Sequence, residues 1–170
     1  MATEEDPNKM SRDTDPVSEI LLGWAVAIAL VWAVTRFIAP PWADFGRVPR
    51  AAVLAAGDPA VPLNTCYVAR CPGLDDAYAL AAVLNSPLAA AWLGAIAEPA
   101  RGRFRRYLGW TMALLPLPSN WPCARALLAP LGARGAAGEP PAEVALLEAV
   151  TLAYGLRLRT VRPLLDWAIQ

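Results

Sequence analysis

Histidine is absent from the sequence, and lysine occurs once, at Lys9. Without imidazole there is no histidine general acid or base, and most zinc sites lose a ligand. Cysteine is scarce: Cys66, Cys71 and Cys123 make an odd count, and the acidic start of the chain does not fit a secretory signal, which begins basic. That pattern points to buried free thiols in a reducing, cytoplasmic compartment. Cys66 and Cys71 lie in a segment that reads as a strand, where five positions apart means opposite faces. Within that strand they can neither pair nor share a metal. No carboxylate pair, nucleophile–base pair or metal-ligand cluster stands out, and Asp75 and Asp76 read as helix caps rather than as acids or bases. Gly132, Gly135 and Gly138 repeat every third residue, but a nucleotide cradle needs a strand before it and a helix after it. Their neighbours are Ala, Arg and Pro, so the run reads as a flexible loop. The residues by themselves give no reaction, no catalytic residue and no cofactor site.

What the chain has is apolar content and arginine. At 170 residues and 56% hydrophobic it is long and apolar enough for one domain with a real core. The net charge is zero but unevenly placed. Residues 1–19 hold six carboxylates against Lys9 and Arg12 and lack any periodicity, as a disordered lead does. The remainder carries thirteen arginines against nine carboxylates, about +4. Arginine suits planar, bidentate contacts to phosphate or guanine. A genome rich in G and C gives the same arginine bias, together with the many Ala and Pro.

From Ile20 to Val34 there is no polar side chain, and the apolar run continues with one interruption, Arg36, to Ala39. Twenty such residues are the length of a membrane-spanning helix, with Trp24 and Trp32 towards an interface and Arg36 snorkelling; a buried helix of a soluble protein fits equally. Pro40-Pro41 ends the run either way. The tetrapeptide Ala39-Pro40-Pro41-Trp42 has the outline of the Asn-Pro-Pro-aromatic loop of amino-group methyltransferases, in which the aromatic stacks on a flipped base. Alanine at its first position removes the required acceptor, and the Pro-Pro stop is the simpler reading.

Beyond Trp42 the pattern predicts an α+β domain over residues 42–170, a short β-pair packed with several helices and preceded by the hydrophobic helix of residues 20–41. The β-pair is expected from the apolar run Arg50 to Ala56, the turn Gly57-Asp58-Pro59 and the strand-like Val61 to Cys71. Ala77, Leu80, Ala81, Leu84, Leu88, Ala91, Trp92 and Ala95 form one apolar stripe at helical steps, which Asn85-Ser86-Pro87 should kink or split. A helix capped by Ser119 or Asn120 should run to about Leu131, followed by a Gly/Ala/Pro loop from Gly132 to Pro141. Helices over Glu143 to Tyr154 and Thr160 to Ala168 complete the chain.

Arg101, Arg103, Arg105 and Arg106 place four guanidinium groups in six positions, beside Phe104, Tyr107 and Trp110. Cationic side chains interleaved with rings suit a phosphate backbone and stacked bases. A solvated charged edge has the same composition. Arg157, Arg159 and Arg162 form a second basic cluster, which reads as surface.

The order of these segments resembles a known family. Ala81-Ala82-Val83-Leu84-Asn85-Ser86-Pro87-Leu88 is followed by an apolar Trp-containing helix, a Gly/Arg/aromatic stretch from Gly102 to Tyr107, and the close Leu115-Pro116-Leu117-Pro118. This looks like the C-terminal target-recognition region of the N6-adenine-specific DNA methyltransferases of bacterial restriction-modification systems, of the TaqI-like and fused restriction–methylation types. Trp42 to Arg47 and Cys66 to Arg70 stand where that family has its preceding strands. The resemblance covers about three quarters of the chain, and the first 41 residues do not share it. It implies binding to double-stranded DNA as a specificity fragment, inactive alone, with methylation by a separate catalytic chain that holds S-adenosylmethionine. Arg101, Arg103, Arg105 and Arg106 are then the expected DNA contacts, mostly to phosphate, with Tyr107 and Trp110 as stacking candidates. Asn85, Ser86 and Pro87 are expected to set the helix bend, and Leu115, Pro116 and Pro118 to end the packed segment. The competing expectation is a small membrane-anchored protein, held through Ile20 to Ala39, that carries a degenerate recognition domain.

Overall fold

The computed structural model describes residues 41–168. The acidic lead and the hydrophobic segment Ile20 to Ala39 lie outside these residues, so neither the membrane nor the buried-helix expectation is addressed. Among the described residues no single helix is long and apolar enough to cross a membrane. The architecture is α+β; the described residues form six α-helices and two small antiparallel sheets.

The strands come first. Strand β1 (Pro41–Ala43) pairs with β3 (Cys66–Val68), Trp42 opposite Tyr67. Strand β2 (Phe45–Gly46) pairs with the later β5 (Arg105–Arg106), whose other edge takes β4 (Glu98–Pro99). The expected pairing of residues 50–56 with 61–71 does not form. Cys66–Val68 turns to residues 41–43 instead, and the 50–56 run contributes a bridge from Ala51 to Trp42. The reason lies in a side chain. Asn85 accepts from the Ala51 N–H (3.0 Å) and donates to the Ala51 carbonyl (2.8 Å). One amide thereby satisfies both backbone groups that a neighbouring strand would have paired.

Helix α1 (Leu74–Leu84) is the centre of the domain, buried on several faces through Ala77, Ala79, Ala81, Ala82, Val83 and Leu84. Its cap is Gly73, and neither Asp75 nor Asp76 caps it; both lie in its first turn. Asp76 faces inward instead, accepting from Trp121 Nε1 at 2.7 Å and from the Arg125 guanidinium at 3.3 Å. At Asn85 the helix stops. Ser86 caps α2 (Pro87–Ile96) by accepting from the Ala89 N–H at 3.1 Å, and its hydroxyl donates back to the Val83 carbonyl at 2.7 Å. Pro87 occupies the first turn, where a missing N–H costs nothing. The two helices meet at 67°. The sequence stripe is thus split rather than gently bent, and Asn85 acts across 34 residues rather than locally.

After β5, a short helix α3 (Gly109–Ala113) leads to α4 (Trp121–Ala136), α5 (Glu143–Ala153) and α6 (Leu158–Ala168). Asn120, not Ser119, caps α4. Helix α4 continues through Gly132 and Gly135, the stretch expected to be a loop, because Gly132 is where α4 crosses α1. A Cβ there would stand 2.0 Å from the Tyr78 carbonyl oxygen. Close packing of two helices, rather than nucleotide binding or flexibility, accounts for that glycine. One core joins α1, α2, α4, α5 and α6 through Val83, Leu88, Leu128, Leu146, Val150 and Val161. A second joins the strands to the other side of α1 and α2 through Trp42, Leu84, Leu93, Tyr107 and Met112. Leu115 packs against both, Pro118 is buried, and the Pro116 carbonyl accepts from the Tyr154 hydroxyl at 2.7 Å. The Leu-Pro-Leu-Pro segment thus fastens the chain between the two cores.

Candidate nucleic-acid interface

Strands β4 and β5 form a hairpin whose tip is the 3-10 turn Arg101–Arg103. The Ala100 N–H donates to the Phe104 carbonyl at 2.8 Å and closes the loop. Gly102 has φ of 75° and Arg103 has φ of 66°. A left-handed conformation is ordinary for glycine but strained for arginine, and such strain concentrates at functional loops. Arg101 and Arg103 are both exposed at this tip.

Alternation along β5 sorts the remaining residues, since successive side chains of a strand point to opposite faces. Arg106 is exposed and Phe104 half-buried, whereas Arg105 and Tyr107 turn toward the body of the domain. Arg105 donates to the Ala97 carbonyl at 3.3 Å. Tyr107 is 1% exposed, and its hydroxyl donates to the Arg47 carbonyl at 3.2 Å. Burial raises its phenol pKa above the usual value, and the nearby Arg105 charge opposes that shift. No base reaches this ring without opening the core, so Tyr107 is a structural residue and not a stacking partner. Trp110, 53% exposed, keeps an accessible ring.

Two other aromatic rings lie beside the hairpin. Phe45 stacks on Phe104 with centroids 4.8 Å apart and planes 4° from parallel. The Arg47 guanidinium lies over Phe104 at 5.6 Å from its centroid. The register places Phe45 opposite Arg106 on β2 and β5, so this aromatic pair stands beside the outward arginine. The sequence signal for Phe45 and Arg47 is their alternate spacing in Asp44-Phe45-Gly46-Arg47, which acquires meaning through the pairing of β2 with β5.

The related loop residue Trp42 is buried, stacks on Tyr67 at 5.6 Å and donates from its indole to the Tyr107 carbonyl at 3.0 Å. Its ring belongs to the core and is closed to a flipped base. Asn85, Ser86 and Pro87 hold the helix break and lie apart from the hairpin arginines in role. Among the described residues no group of His, Cys, Asp or Glu comes together to hold a metal ion. The three cysteines are free, and the Cys71 thiol is pushed up by burial and then by the Asp76 carboxylate. Arg157, Arg159 and Arg162 are exposed at and within α6, where Arg162 lies 3.9 Å from Asp166.

Searches against protein-family models, curated proteins and solved structures find no match to this chain.

Proposed function

We propose that the described domain is a DNA-contacting recognition module: the specificity part of an adenine-specific, S-adenosylmethionine-dependent methylation system, working with a catalytic part that is not among these residues. The observation that carries the reading is the β4–β5 hairpin, which presents Arg101, Arg103 and Arg106 outward beside the Phe45–Phe104 pair. A two-stranded ribbon is narrow enough to enter the major groove of duplex DNA, and arginine pairs with phosphate or guanine in two-pronged fashion. The ordered resemblance of strand, Asn-Ser-Pro helix, basic stretch and Leu-Pro-Leu-Pro supports the methylation context. On this reading the exposed Arg101, Arg103 and Arg106 act on DNA, while Arg105 and Tyr107, bonded to the Ala97 and Arg47 carbonyls, hold the hairpin to the domain.

The test is duplex binding by the full chain, titrated across salt. Each phosphate contact contributes about 0.9 to the slope of log affinity against log salt. Arg101→Ala with Arg103→Ala should reduce the slope by about 1.8. Tyr107→Phe should leave the slope unchanged. An unaltered slope in the double variant would remove the hairpin tip from the interface.

A further inference from the structure

Next to the base of the hairpin, α2, α5 and α6 line an open groove of about 560 Å³. Its lining is mostly apolar: Val48, Ala90, Gly94, Leu147, Leu165 and Trp167. Small-molecule sites are of this size and character, with a few polar groups that fix orientation. Arg47 and Arg105 are those groups here. Both guanidinium groups are already held in place, Arg105 by its bond to the Ala97 carbonyl and Arg47 by the Phe104 ring. Among the described residues neither forms a salt bridge of the kind that joins Arg125 to Asp76 and Arg162 to Asp166. Glu143, in the first turn of α5, also lines the groove, leaving it one positive charge in excess.

We propose that this groove binds an amphipathic anion, a carboxylate carrying an aliphatic chain, with the carboxylate on Arg47 and Arg105 and the chain along α2 between α5 and α6. Arginine presents paired N–H donors that match a carboxylate, and positions fixed in advance reduce the ordering cost of binding. Gly94 is the groove's open floor: a Cβ there would meet nothing within 4 Å. The groove adjoins the hairpin, since Arg47 lies over Phe104 and Arg105 belongs to β5, but Arg101, Arg103 and Arg106 do not line it.

Decanoate is the probe, titrated calorimetrically into the full chain, with decanol and decyltrimethylammonium as the neutral and cationic counterparts. Decanoate should bind one to one and at least about ten-fold more tightly than either, the effect of a charge-assisted hydrogen bond. Arg47→Ala should weaken decanoate binding about ten-fold and leave decanol binding unchanged. Gly94→Leu should abolish decanoate binding by filling the groove. Its melting temperature should not fall, because leucine favours a helix more than glycine does. Equal binding of decanol and decanoate would reduce the groove to an apolar patch and overturn the proposal. Decanoate binding that survives Gly94→Leu would place the ligand elsewhere and overturn it equally.

Discussion

Replacing Gly132 by alanine tests the packing that organises the domain. The added Cβ would stand 2.0 Å from the Tyr78 carbonyl oxygen, 2.6 Å from its carbon and 3.0 Å from its Cα. All three are backbone atoms of α1, so no side chain can swing away. Restoring even a 3.0 Å contact to the oxygen requires α4 and α1 to separate by about 1 Å. That separation loosens Ala79, Ala82 and Val83 against Ala124, Leu128 and Ala129, all members of the main core. Overpacking of this kind costs about 3 kcal/mol, and alanine returns about 1 kcal/mol of helix propensity. The net loss of about 2 kcal/mol corresponds to a fall of about 8 °C in melting temperature for a domain of this size. Gly135→Ala is the matched control, since it lies in the same helix with open space at its Cβ. It should stabilise the protein by about 0.5 kcal/mol, reduced from the mid-helix value because it is near the C-terminus. Thermal unfolding followed by circular dichroism reads both variants. If Gly132→Ala melts at or above the parent temperature, the close crossing of α1 and α4 is wrong.

Two further outcomes follow from single side chains. Asn85→Ala removes both bonds to Ala51 and should cost about 2 kcal/mol in urea unfolding; a loss below about 0.5 kcal/mol would show that the amide does not substitute for a strand partner. The Tyr154 phenol is pushed up to about 12 by burial, so its folded-state pKa exceeds that of the unfolded chain. Stability from this group is complete below about pH 10 and is lost as pH rises through about 12. Tyr154→Phe should therefore flatten the alkaline unfolding curve between those values, and an identical pH profile would refute the assignment.

The legible and illegible parts of the fold divide by range. Helix positions followed from local periodicity and from proline: Asn85-Ser86-Pro87 breaks the stripe because Pro87 needs a first-turn position and Ser86 provides the cap. The α+β class followed likewise. Strand partners did not, because Cys66–Val68 pairs with Pro41–Ala43 while the Ala51 backbone groups are taken by Asn85, at the end of α1 and 34 residues away. Gly132 looked like a loop residue because only the approach of Tyr78 explains a glycine at that helical position. In the candidate interface, composition identified the arginine cluster but treated its members alike. Strand alternation separates Arg106 from Arg105, and the core claims Tyr107, while Phe45 enters through β2 from a distant segment. Exposed charge is visible in a sequence; the face it occupies depends on a two-residue strand too short to predict.

Whether the β4–β5 hairpin contacts DNA is read from the salt dependence of duplex binding. The full chain and its Arg101→Ala, Arg103→Ala, Arg106→Ala variant are compared across the same salt series. Binding should weaken steeply with salt in the parent, with a slope shallower by about 2.7 in the variant. Equal slopes in a variant that melts like the parent, or no duplex binding by the folded parent at low salt, would contradict it.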